Sequence, residues 1–133
     1  MAHNHDHAPI LQAALRQYQG LFESSQQAMY IYVDDANKAC NQNFADLLGY
    51  PSPAAWAAIK TPFPSTFVTG ESREDVVGAF QDAMENGNGA VLPVVWKRKD
   101  GKPAESDVIL VPVEIEGHRI AVHYIEPVEG DDE

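Results

Sequence analysis

Cys40 is the only thiol in this chain of 133 residues. A lone cysteine excludes an intrachain disulfide and makes a reducing, cytoplasmic setting the expectation. Basic residues are scarce too: nine Lys and Arg stand against 20 Asp and Glu, a formal net charge of −11. Phosphate recognition needs a basic face that releases counterions, so nucleic acid is not expected as a direct partner. Lys97-Arg98-Lys99 is the one basic cluster, and the Asp100-Gly101 pair behind it marks a solvated hairpin tip. No apolar run approaches a membrane span, and the N-terminus lacks a basic-then-apolar signal pattern. No membrane partner is expected. Histidine is confined to the two ends, His3, His5 and His7 at one and His118 and His123 at the other.

What is present reads as one α+β domain over residues 9–127, with a His-rich tail at 1–8 expected to be disordered and an acidic tail at 128–133. The alternating imidazoles could hold Ni, Cu or Zn loosely, but without a folded frame they make no specific metal site, and none is expected. Residues 9–24 carry Leu11, Leu15, Tyr18 and Phe22 at helical spacing after Pro9, which predicts an amphipathic helix. The domain core spans 28–127. Residues 28–33 are β-branched and aromatic in both parities, which predicts a strand covered on both faces. A tight polar turn leads to a short strand at 38–40.

At Asn41 the period changes. Phe44, Leu47 and Leu48 stand at helical spacing behind a capping Asn41, and Gly49 supplies the left-handed end before Pro51. Ser52-Pro53 opens a second short helix around Trp56 and Ile59. The prolines of Thr61-Pro62-Phe63-Pro64-Ser65 predict an extended loop. Ser72-Arg73-Glu74-Asp75 has the form of a capping box and predicts a longer helix that stops at Asn86-Gly87. From Gly89 onward the pattern is strand, turn at Asp100-Gly101, strand, turn at Glu116-Gly117, strand. Pro93 and Pro112 are expected at a bulge or where the ladder is open.

The run Lys38-Ala39-Cys40-Asn41-Gln42-Asn43-Phe44-Ala45-Asp46-Leu47-Leu48-Gly49-Tyr50 resembles the PAS sensor-domain family. Lys97-Arg98-Lys99-Asp100-Gly101, Pro112 and the acidic turn at Gly117 fall in the same register, so the resemblance covers about residues 21–126. It implies a five-stranded antiparallel sheet with small helices on one face, plus the extra N-terminal amphipathic helix. Two departures stand out. Glu105 holds a place where many PAS domains have an aromatic, and Glu126-Pro127-Val128 replaces the Asp-Ile-Thr that runs on into an output helix.

The resemblance also frames the cofactor chemistry. Flavin photoreceptors of the light-oxygen-voltage type need a thiol after the Gly-Tyr segment, and thioester photoreceptors need one farther along. Residues 49–133 contain no cysteine, so neither covalent chromophore is expected. No histidine lies on the long helix, which disfavours haem in the usual mode. A noncovalent flavin or a small organic ligand stays open.

In PAS register the candidate pocket is Ile31, Val33, Cys40, Asn43, Phe44, Leu48, Phe80, Val94, Trp96, Val108, Leu110, His123 and Tyr124. Asn43, Ser106, His123 and Tyr124 are its polar suppliers. A buried His123 would be a pH-sensitive element. Cys40 reads first as a small buried hydrophobe, with a redox role resting only on Lys38 nearby.

The opposite parity, Tyr30, Tyr32, Val95, Ile109 and Val111, forms a candidate outer face for Leu11, Leu15, Tyr18 and Phe22, in the same chain or in a homodimer. The reading is a stand-alone sensory domain that binds a small ligand or a separate signalling protein without its own catalysis. A docking or dimerisation module without ligand is the alternative. A small cone-shaped isomerase or dehydratase is the distant one, with Asp46, Asp107 and His123 as its only acid–base candidates.

Overall fold

The computed structural model describes residues 8–127; residues 1–7 of the expected His-rich tail and the expected acidic tail at 128–133 lie outside them. The chain runs α1 (Ala8–Ser24), β1 (Ala28–Asp34), β2 (Asn37–Cys40), α2 (Gln42–Leu48), α3 (Pro53–Ala57), α4 (Phe63–Phe67), α5 (Gly70–Asn86), β3 (Ala90–Lys97), β4 (Pro103–Ile115) and β5 (His118–Pro127). The strands form one antiparallel sheet in the order β2-β1-β5-β4-β3. Its two faces are buried by different elements, and that division positions the site.

On one face α1 lays Leu11, Ala13 and Ala14 against Met29, Ile31, Ile120 and Val122. The alanines let the helix backbone come close to the sheet. On the other face Tyr30, Phe44, Trp56, Phe63, Phe67 and Trp96 build an aromatic core beneath α2, α3 and α4. Tyr30 and Phe44 centroids lie 4.6 Å apart, and Phe44 meets Trp96 edge-on at 5.3 Å and 81°.

Asn41 joins sheet and helix as its sequence position suggests. Its Oδ1 accepts from Phe44 N at 3.1 Å, the capping bond, and also from Met29 N at 3.1 Å. Its Nδ2 donates to Gln27 O at 2.9 Å, so one buried side chain satisfies three backbone groups. Gly49 closes α2 in the left-handed region at φ 84°.

Two local expectations are corrected. Residues 61–65 are not an extended loop throughout, because α4 begins at Phe63. Pro64 sits in its first turn, where a missing N–H leaves nothing unsatisfied, and Asp35 Oδ1 accepts from Phe63 N at 2.9 Å. The long helix starts at Gly70 behind Thr69 rather than at a Ser72 capping box. Ser72 Oγ instead accepts from Val95 N at 3.0 Å and ties α5 to β3.

The strand prolines sit where a lost donor is tolerated. Pro93 lies on β3, the edge strand. Pro112 lies on the part of β4 beyond its last β3 partner, Leu110 opposite Ala90.

Candidate functional site

A cavity of about 250 Å³ lies between the sheet and the α4–α5 segment. Its sheet wall is Tyr30 and Tyr32 from β1, His123 from β5, Val108 and Leu110 from β4, and Leu92, Val94 and Trp96 from β3. Phe63 and Pro64 of α4 and Val76, Val77, Ala79, Phe80 and Gln81 of α5 form the opposite wall. Helical spacing of Val76, Ala79 and Phe80 turns one stripe of α5 onto the sheet.

Few polar atoms face this space. Trp96 Nε1 donates to Ser106 Oγ at 2.8 Å, and Tyr32 Oη donates to Asp35 Oδ1 at 2.7 Å. His123 is 4 % exposed, and its Nδ1 has no hydrogen-bond partner. Burial pushes the imidazole down to about 3; backbone groups of Tyr30 and Ala121 nearby act the other way but are outweighed. Burial likewise raises the Tyr30 and Tyr32 hydroxyls, Tyr32 helped by its bond to Asp35. No Asp, Glu, Lys or Arg lines the cavity. The cavity is uncharged at neutral pH. Desolvation holds the ring neutral in the folded chain near neutrality, so the pH sensitivity expected of a buried His123 acts on folding stability rather than on the charge of the cavity.

Of the residues expected to line a pocket, Phe80, Val94, Trp96, Val108, Leu110 and His123 do so. Phe44, Leu48 and Cys40 are packed into the adjoining aromatic core instead. Asn43 is exposed on α2, where its Nδ2 donates to Gln26 O at 2.7 Å. Ile31, Val33 and Tyr124 belong to the opposite face and pack in the cluster around α1. Tyr30 and Tyr32, expected on that outer face, line the cavity. The β1 parity is thus inverted, and the pairing explains it: Tyr30 stands opposite His123 and Ile31 opposite Val122.

Both parities of β1 are apolar, so alternation alone could not orient the strand. Phe63 and Pro64 were hidden by the loop reading. The α5 stripe was visible as a helix face, but not as the wall of a cavity.

The remaining outer-face residues lie as their parity requires. Leu11 is buried, while Leu15, Tyr18 and Phe22 pack around the same α1 cluster. Val95, Ile109 and Val111 are partly buried, and Val91 beside Ile109 is 69 % exposed.

Cys40 is buried, unlike the exposed, electropositive setting of a redox-sensing thiol. Burial pushes the Cys40 thiol up to about 12, against smaller lowering effects from an Ala45 backbone hydrogen bond and from Lys38. Lys38 is 3 % exposed and donates through Nζ to the carbonyls of Asp35, Ala57 and Ile59, with Nζ 5.2 Å from the Trp56 ring centroid. Its burial lowers its pKa. Asp46 is exposed and accepts from Gln42 Nε2 at 2.9 Å, and Asp107 lies opposite Pro93 on β3 and Glu126 on β5. Neither shares the cavity with His123. Among the described residues no three His, Cys, Asp or Glu side chains are grouped to hold a metal, and no helix is long and apolar enough to cross a membrane.

A five-stranded antiparallel sheet with small helices and a small-molecule-sized cavity on one face defines a PAS-like α+β domain. A family model described as PAS domain matches residues 16–83, half of the chain, and the chain belongs to that family. No curated protein sequence matches it.

Solved structures share the fold. The PAS domain of a protein from Colwellia psychrerythraea is 19 % identical, with a TM-score of 0.67 over 86 % of this chain and 97 % of that one. The PAS domain of a LuxR-family transcriptional regulator from Burkholderia thailandensis, in complex with ethanol, is 15 % identical, with a TM-score of 0.62 over 85 % and 98 %. VqmA bound to DPO is 12 % identical, with a TM-score of 0.64 over 87 % of this chain and 58 % of that one.

Proposed function

We propose that this PAS domain is a sensory module that takes a small organic molecule into the cavity between α5 and the sheet and has no catalytic activity of its own. One observation carries the reading: a ligand-sized apolar cavity whose lining includes one imidazole, His123, and no charged side chain. Pockets of this kind combine an apolar lining with a few polar groups that fix orientation. The catalytic alternative lacks support, because an acid–base enzyme needs a base near neutral pKa within reach of substrate, and His123 is held far below that. A bulky noncovalent flavin fits poorly, since no charged side chain lines the cavity to meet its phosphate. The PAS structures holding ethanol and DPO are consistent with small ligands in this fold.

The test is a thermal-shift screen of a neutral-metabolite panel against wild type and Ala79→Phe, which fills the cavity from α5. Stabilisation of wild type by at least one compound, absent in Ala79→Phe, supports the reading. No stabilisation by any compound, or equal stabilisation of both proteins, rejects it.

A second reading rests on a different surface. Val91 and Leu21 are exposed at 69 % and 42 %, on the outer sheet side and on α1, which suits a homodimer or a separate signalling protein in the cytoplasm. Sedimentation equilibrium of wild type and Val91→Glu separates these: a dimer lost in the variant supports self-association, and a monomeric wild type rejects it.

A further inference from the structure

The cavity is selective in its chemistry as well as its size. We infer that it takes an uncharged ring compound, of the aromatic or heteroaromatic class, whose one hydrogen-bonding substituent pairs with the His123 imidazole. The inference rests on the ligand-binding reading above and names the class of molecule for that same site.

Three features lead to it. First, size: a cavity of about 250 Å³ closed in by the sheet, α4 and α5 suits a small substituted ring. Second, shape: the walls are ring faces and edges. Tyr32 stands edge-on to Phe63 at 5.1 Å and 69° and to Phe80 at 5.2 Å and 81°, and such surfaces favour a further ring placed offset or edge-on. Third, polarity: no charged side chain lines the cavity, so a carboxylate or ammonium would be desolvated without a partner. His123 is the one imidazole on the cavity wall, and a neutral guest with one donor or acceptor can meet that ring without the desolvation cost of a charge.

His123 is also rigidly placed. Its ring lies parallel to Tyr30, with centroids 4.0 Å apart and planes 7° apart, on the strand pair Tyr30 opposite His123. An imidazole clamped in this way cannot turn to follow a guest, which makes it a selectivity element and not an adaptable contact.

Benzamide, benzoate and toluene are matched probes: neutral with hydrogen-bonding capacity, anionic, and apolar. Titration calorimetry with the full chain, paired with amide and imidazole NMR shifts, reads their binding. The expected result is benzamide bound most tightly, with shifts at His123 and Phe80. His123→Phe keeps a ring of similar size and should weaken benzamide about fivefold, the effect of one hydrogen bond, while leaving toluene unchanged. His123→Gln restores a hydrogen-bonding group and should recover part of the loss; it also serves if the Phe variant does not fold.

Benzoate binding as tightly as benzamide overturns the inference, as does benzamide affinity unchanged in both variants. If none of the three probes binds but another panel compound enters the cavity, this assignment fails alone. If the whole panel fails, the ligand-binding reading falls with it.

Discussion

Tyr30 and His123 lie face to face across the β1–β5 pair, 4.0 Å between ring centroids and 7° from parallel. The contact joins the aromatic core to the cavity wall. It also fixes which side of β1 faces the helices, because Tyr30 and His123 are register partners and both stand on the cavity side. Nδ1 of this imidazole is buried without a partner, a liability to stability, while the ring as a whole forms part of the cavity wall.

The imidazole makes stability pH-dependent in a defined window. Its folded pKa of about 3 lies below the ordinary value of 6.5, so the unfolded chain binds the proton more readily. The stability owed to the neutral ring is present above pH 6.5 and drains away as pH falls toward 3. Between pH 7 and pH 5 wild type should lose about 2 kcal/mol relative to His123→Phe. Urea unfolding of both proteins across that range checks this; parallel profiles would contradict it.

Removing the Asn41 side chain strands two backbone N–H groups, while the Gln27 carbonyl keeps its bond from Ser25 Oγ. Asn41→Ala should cost about 2–3 kcal/mol, from the lost cap of α2, the unpaired Met29 N–H and the lost bond to the Gln27 carbonyl. Asn41→Asp keeps the acceptor and should cost less. Equal losses in both variants, measured by chemical denaturation, would mean that the Oδ1 bonds contribute little.

Gly49 is required by conformation and by space. At φ 84°, a Cβ would be strained and would also stand 3.1 Å from Arg98 Nη2. Gly49→Ala should destabilise by about 1 kcal/mol or more. An unchanged denaturation midpoint would show that the α2 end adapts freely.

Lys38 acts as a buried clamp between the β1–β2 turn and the end of α3. Its ammonium donates to the Asp35, Ala57 and Ile59 carbonyls. Lys38→Met keeps the stem but leaves those acceptors without a donor, and should cost about 2 kcal/mol. Amide exchange should rise near Ile59 and Phe63. If exchange there stays at wild-type rates, the clamp has no role in holding α3 and α4.

Much of this architecture was legible from the residues. Asn41 and Gly49 announced both ends of α2, and the Asp100-Gly101 and Glu116-Gly117 turns announced the two hairpins, because each relies on local backbone chemistry. The alternation on β3 and β4 placed Val94, Trp96, Val108 and Leu110 toward the helices. On β1 that method failed, since Tyr30, Ile31, Tyr32 and Val33 are all apolar in bulk, and the choice of face depends on the long-range pairing with β5. Ser72 misled for a related reason: its hydroxyl could cap a helix locally, but Val95 N across the fold takes it. The cavity itself is a gap between α5 and the sheet, a property of packing that no sequence period encodes.

The most direct test of the account is the location of a bound ring. Intermolecular NOEs from benzamide protons to the methyl groups of Val94, Val108 and Leu110 and to the Phe80 ring would place it in the cavity, as the account predicts. NOEs confined to Leu11, Leu15 or Val91 would put binding on the other face of the sheet and contradict it.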